Sequence, residues 1–180
     1  MKAAIFLAEG FEEVEGLTAV DLLRRAGIEV FMVSITGEKA VTGSHGITVQ
    51  TNEQIENFDF SKVSMLILPG GMPGTKNLEK CQKLTEQLQI FAHEGKYAAA
   101  ICAAPSILGH LGILEGKEAC CYPGFEKELY GAKVSMEGAV ADGNVITGRG
   151  VGTAIPFALK MIEKCMGEEK AKQIADSIVY

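Results

Sequence analysis

The sequence predicts an α/β protein built on a mostly parallel sheet with helices on both faces. Three observations carry this. Short, uniformly apolar runs alternate with stretches of helical spacing along all 180 residues, and strands that are apolar throughout are those buried between two helix layers. Glycine-centred turn signals separate the runs. Three loops with chemical potential, Glu9–Glu15, Gly70-Gly71 and Cys102, each fall just after a strand, where ligands bind in such sheets.

The elements follow in order. Ala3 to Leu7 is the first apolar run, broken at Gly10. Val14, Leu17, Val20, Leu22 and Leu23 then recur at helical spacing, with Gly27 as the stop. Ile28 to Ile35 is β-branched and apolar, a second strand, and residues 41–49 read as a small hairpin around a Gly-containing turn. Val63 to Leu68 is a third strand, closed by Pro69-Gly70-Gly71. Leu78, Leu84, Leu88 and Phe91 place a helix over 75–94, and Tyr97 to Ile101 is a strand running into Cys102. Ala103 to Leu111 continues as helix. Residues 117–122, 132–134 and 145–147 read as strands, with a turn at Asp142-Gly143-Asn144. Two helices close the chain, over 152–166 with Pro156 in the first turn, and over 168–178.

The length suits one domain over residues 1–180 with a proper core. Hydrophobic residues are 47% and charged residues 22%, the balance of an ordinary globule. A net charge of −6 without any Lys/Arg cluster argues against a nucleic-acid surface. No apolar stretch approaches the length of a membrane span, and the acid at Glu9 cuts short what otherwise resembles a signal-peptide start. The five cysteines are odd in number and include no CxxC pair, which fits a reducing, cytoplasmic setting better than a disulfide framework. Cys120 and Cys121 read as strand thiols, Cys81 and Cys165 as packing or surface thiols.

Cys102 stands apart. An apolar run ends in it, and the small residues Ala103 and Ala104 follow at the start of a helix. That is how a chain presents one thiol at a sharp strand-to-helix turn, with a helix N-terminus behind it to favour thiolate. Glu12, Glu13 and Glu15 lie in the first turn of the first helix, where the macrodipole favours acids. One of them aimed inward beside the thiol would have a raised pKa and could exchange protons with it; spacing does not choose among the three. Gly70-Gly71 is either a plain turn or a place where backbone N–H groups approach an oxyanion. Arg149, between Gly148 and Gly150, either binds a carboxylate or phosphate or holds a loop. The only histidines are His45, His93 and His110. His93 and His110 read as surface or packing residues, so a Cys–His hydrolase pair is not evident within one chain. No metal-type spacing is present.

Taken together, Glu12-Glu-Val-Glu15 with Asp21-Leu-Leu-Arg-Arg-Ala-Gly27, Leu68-Pro-Gly-Gly71, Ala100-Ile-Cys102-Ala-Ala-Pro and Thr147-Gly-Arg-Gly-Val-Gly-Thr153 resemble the ThiJ/PfpI superfamily, in its DJ-one branch, over essentially the whole chain. The resemblance implies a flavodoxin-like three-layer α/β/α sandwich with a cysteine nucleophile elbow, usually as a homodimer. It implies Cys102 as the reactive cysteine, Glu15 as its carboxyl partner, and the amides of Gly71 and Ala103, beside Gly70, as the oxyanion and substrate pocket. It also places His45, and with it Arg25, near the partner subunit. One position departs from the pattern: many members carry a histidine downstream of the cysteine where this chain has Tyr122. A tyrosine, with an unperturbed pKa of about 10, is a poor base at neutral pH.

The activities implied are glutathione-independent glyoxalase chemistry, deglycation of amines or thiols, and redox sensing or chaperoning through cysteine oxidation; peptidase activity belongs to another branch. The expectation is an enzyme in which the Cys102 thiolate adds to a small reactive carbonyl or a glycated adduct and Glu15 moves protons, with no metal or organic cofactor. The alternative is a redox-responsive protein acting by Cys102 oxidation. An amidase or peptidase would need a base, for which His45 across a dimer is the remaining route.

Overall fold

The computed structural model describes residues 1–180. The strands are β1 (Lys2–Leu7), β2 (Glu29–Ser34), β3 (Ala40–Thr42), β4 (Thr48–Gln50), β5 (Glu53–Gln54), β6 (Met65–Leu68), β7 (Tyr97–Ile101), β8 (Glu118–Ala119), β9 (Lys133–Val134), β10 (Ala139–Asp142) and β11 (Val145–Gly148). The helices are α1 (Glu13–Arg25), α2 (Gly74–Lys80), α3 (Gln82–His93), α4 (Pro105–His110), α5 (Ala154–Met166) and α6 (Glu168–Ser177). Seven strands form the main sheet in the order β10-β11-β7-β6-β1-β2-β5. Every pairing in it is parallel except β10 with β11. The expected hairpin forms as the antiparallel pair β3-β4, outside the main sheet.

The strands are apolar throughout because both faces are covered. Successive side chains alternate between faces, and along β1 Ala4 and Phe6 enter one core while Ala3, Ile5 and Leu7 enter the other. The first core is closed by Leu78 of α2, Leu84, Leu88 and Phe91 of α3, and Ile107 and Leu108 of α4. The second is closed by Leu22 and Leu23 of α1, Phe157, Met161 and Ile162 of α5, and Ile174 of α6. Each fully buried Leu, Ile or Phe contributes on the order of 1.5–3 kcal/mol. The result is the flavodoxin-like three-layer sandwich expected.

Several boundaries differ from expectation for local reasons. The helix expected over 75–94 breaks at Cys81, whose backbone is extended at φ −78°, ψ 91°. Leu78 and Leu84 are six positions apart and cannot share one helical face; the break rotates α3 so that both are buried. The strand expected over 117–122 shrinks to β8, paired with β9 in a separate small sheet. A strand the sequence did not signal, β10, pairs antiparallel to β11 across the turn at Gly143. Short 3-10 segments at Ile55–Asn57 and Phe60–Lys62 also went unsignalled. They hold Phe58 and Phe60 on Phe6, with ring centroids 6.0 and 5.6 Å away.

Candidate active site

The sheet reverses its direction of growth between β1 and β6, and the loops after β1, β6, β7 and β11 converge there. Register enforces the meeting. Leu68 of β6 lies opposite Ala100 of β7, and Ile101 opposite Gly148 of β11, so Gly70, Cys102 and Arg149-Gly150 emerge side by side.

Cys102 has φ +65°, and only one other non-glycine residue, Val179, has positive φ. Such a conformation is costly for an L-residue and survives because its surroundings over-determine it. The Cys102 N–H donates to the Gly148 carbonyl at 2.9 Å, and its own carbonyl accepts the Tyr122 N–H at 2.8 Å. The backbone is thus clamped on both sides while the side chain stays half-buried. The N–H groups of Gly71 and Ala103 donate towards the sulfur.

The three early glutamates separate into three jobs. Glu12 precedes α1 and accepts the Val14 N–H at 3.4 Å as its cap. Glu13 turns to the β3-β4 hairpin, accepting the His45 N–H at 2.7 Å and lying 2.9 Å from His45 Nδ1. Glu15, 1% exposed, points the other way: Oε2 accepts the Gly70 N–H at 2.8 Å, while Oε1, buried, has no hydrogen-bond partner. Its carboxyl interacts directly with the Cys102 thiol.

Burial raises the Glu15 pKa to about 7, against the Gly70 and Cys102 hydrogen bonds and with a further push from the charge of Glu12. Burial also pushes the Cys102 thiol up to about 12, and the Glu15 charge adds to it. Above pH 7 the pair therefore holds one proton and one negative charge. This changes the expected origin of the thiolate. The helix behind Cys102 is only six residues long and starts three residues later, at Pro105. Between about pH 7 and about pH 12 the proton rests on Cys102 and the charge on Glu15; an ionised sulfur forms only when that proton passes to Glu15, whose O–H, with the two N–H groups, would then face it.

Gly70 allows this approach. A Cβ on it would lie 2.5 Å from Cys102 Cβ and 2.7 Å from Glu15 Oε2. Gly70→Ala is expected to lower stability by about 1–3 kcal/mol through overpacking and to change the Cys102 alkylation rate at least tenfold. Thermal melting and timed alkylation read both.

The other candidates lie elsewhere. His45 is exposed, and its ring is held by Glu13 of its own chain; that hydrogen bond, with the charges of Glu12 and Glu13, raises its pKa. Burial pushes Glu13 up, but the His45 ring and the surrounding N–H groups outweigh it and hold the carboxyl down at about 2. The ligand atoms of Glu12, Glu13 and His45 lie within 4.8 Å of one another, the one grouping shaped to take a metal, yet Glu13 is already committed to those hydrogen bonds. Arg25 pairs with Asp21 at 2.7 Å on the surface of α1. His110 bridges Glu79 of α2 and Glu128, so it ties two elements together rather than merely packing. Tyr122 is half-exposed and makes no hydrogen bond to the thiol.

A strained cysteine on a strand-to-helix elbow, with a buried carboxyl and two converging amides, in a doubly covered parallel sheet, defines a class of cysteine-elbow α/β proteins. The chain belongs to the DJ-1/PfpI family, whose model matches residues 1–164. It is 34% identical over 180 residues to "Protein DJ-1 homolog B" of Arabidopsis thaliana, covering 99% of this chain but 41% of that longer protein. It is 32% identical to "Glutathione-independent glyoxalase DJR-1.2" of Caenorhabditis elegans, covering 96% of this chain and 94% of that one. Among solved structures, Toxoplasma gondii DJ-1 in an oxidised form superposes with a TM-score of 0.95 at 33% identity, covering 99% and 98% of the two chains. No helix is long and apolar enough to cross a membrane.

Proposed function

We propose that the protein is a cysteine-dependent enzyme for reactive carbonyls, a glutathione-independent glyoxalase with deglycase activity. The observation that carries this is the buried, unpartnered Oε1 of Glu15 on the carboxyl that shares a proton with Cys102. Sulfur adds to the aldehyde carbon of methylglyoxal to give a hemithioacetal, while Glu15 donates its proton to the aldehyde oxygen. The resulting carboxylate takes the proton from that carbon and returns it to the neighbouring carbonyl carbon through an enediol. The N–H groups of Gly71 and Ala103 stabilise the oxyanion. The product is a lactyl thioester, which water hydrolyses to lactate and free thiol. On a glycated amine or thiol the former aldehyde carbon is already a hemiaminal or hemithioacetal, so the sulfur displaces the amine or thiol there; the C–N or C–S bond breaks, the leaving group takes its proton from Glu15, and the same Cys102 hemithioacetal results. The similarity to the nematode glyoxalase supports this reading. Its test is lactate formation from methylglyoxal without glutathione, alongside release of amine from a glycated peptide.

A second reading is redox sensing. The same three donors suit a sulfinate, formed when two equivalents of peroxide oxidise the thiolate. Intact-mass measurement after mild peroxide decides it: a Cys102 that stays reduced while surface thiols oxidise removes this reading.

We further propose a cytoplasmic homodimer. Val14 and Leu17 of α1 and Ile47 of the hairpin are exposed, and Glu13, accepting the Ile47 and His45 N–H groups, brings the hairpin up to the start of α1. Sedimentation at micromolar concentration is expected to show a dimer. A monomer removes both the dimer and any contribution of His45 to a partner's Cys102.

A further inference from the structure

A cavity of about 570 Å³ lies beside the elbow, walled by Tyr122, Pro123, Met136 and Val151, with Arg149 as its one charged lining residue. One backbone bond ties a wall to the nucleophile, Tyr122 N–H to Cys102 O, and a second, Cys102 N–H to Gly148 O, holds the residue that precedes Arg149. Its floor reaches the acid as well. A Cβ on Gly150 would lie 3.2 Å from the Tyr122 ring and 4.0 Å from the unpartnered Glu15 Oε1.

Arg149 is not used up by the fold. Its backbone N–H donates to Gly138 O at 3.1 Å and Thr153 Oγ1 at 3.2 Å. Its guanidinium makes a single long contact, Nη1 to Met136 O at 3.4 Å, and takes part in no ion pair. In a chain of net charge −6, a partly exposed, unpaired guanidinium on the wall of an otherwise uncharged cavity is free to take an anion. The space also far exceeds what a three-carbon aldehyde fills, and falls in the range of ordinary small-molecule sites.

We propose that this cavity is an anion subsite: Arg149 takes the carboxylate or phosphate of a reactive carbonyl whose aldehyde carbon reaches Cys102. The substrate class is then anionic aldehydes and adducts carrying an acid group, not neutral dicarbonyls alone. The inference rests on the reading of Cys102 as a carbonyl acceptor.

Protection of Cys102 from alkylation tests it without requiring turnover. Succinic semialdehyde is compared with butanal, and glyceraldehyde 3-phosphate with glyceraldehyde; the first pair reads carboxylate and the second phosphate. In at least one pair the anionic member is expected to protect wild type at about tenfold lower concentration than its neutral counterpart. That gap narrows with salt, closes in Arg149→Met and largely survives in Arg149→Lys. Equal protection within both pairs in wild type, or a gap that persists in Arg149→Met, overturns the proposal. If no aldehyde protects, the carbonyl reading of Cys102 falls, and a covalent-free arm decides the subsite. In that arm, succinate and inorganic phosphate are titrated against the NMR amide signals of residues 150–153. Shifts in wild type that are absent in Arg149→Met sustain an anion site, and no shift with either anion overturns it.

Discussion

Cys102→Ser abolishes lactate formation from methylglyoxal, a fall of at least a thousandfold, with little change in stability. The serine oxygen is isosteric enough to keep the elbow, since the strain there belongs to the backbone at φ +65° and to its bonds with Gly148 and Tyr122. What is lost is ionisation. Glu15 titrates near pH 7 and the thiol near 12, so the form with the proton on Glu15 is already a minor one, and an alcohol, a far weaker acid than a thiol, forms it more rarely still. The Gly71 and Ala103 amides remain and give only residual stabilisation of an adduct that no longer forms. A coupled lactate assay and a thermal melt, run on both proteins, check the two halves. A serine variant with wild-type turnover removes the thiol from the mechanism. If methylglyoxal turnover disappears but release from a glycated peptide continues, the two activities do not share a nucleophile.

The elbow was readable in the chain because its signal is local: an apolar run, one cysteine, then small residues. The sheet was readable for the same reason, since strands such as Val63 to Leu68 are apolar at every position. The features that escaped depend on long-range geometry. Glu12, Glu13 and Glu15 are indistinguishable by spacing, and only the hairpin amides at His45 and Ile47, more than thirty residues away, draw Glu13 off and leave Glu15 for the thiol. The sequence points to a helix behind the thiol, but α4 starts only at Pro105, and the burial and Glu15 charge that raise the thiol depend on which glutamate turns inward, which spacing does not tell. β10 was missed because Ala139–Asp142 carries no strong strand pattern; it is held by its turn and by β11. Arg149 was legible as a glycine-flanked cation, but its neighbours Tyr122 and Gly150 join it only in three dimensions.

Glu15→Gln separates what the acid does for chemistry from what it costs the fold. Glutamine fills the same space, and its side-chain carbonyl can still accept the Gly70 N–H, but it moves no proton. Turnover of methylglyoxal is expected to fall by about 10²–10⁴-fold, and the limb of the wild-type pH–rate profile centred near pH 7 should vanish with the Glu15 titration. Stability moves the opposite way. A carboxyl whose pKa rises from 4.5 unfolded to about 7 folded binds its proton more tightly in the native state, so the contribution of this group to stability is fully present below pH 4.5. That contribution is lost as pH climbs through 7, and above that the buried charge costs on the order of 3 kcal/mol. The glutamine variant carries no such charge. It is expected to melt higher than wild type at pH 8 and to match it near pH 5, which paired denaturation curves at the two pH values measure. A variant that loses stability at pH 8 would show that the Glu15 carboxylate is held by favourable contacts rather than by burial, and the shared-proton mechanism would then have no driving group.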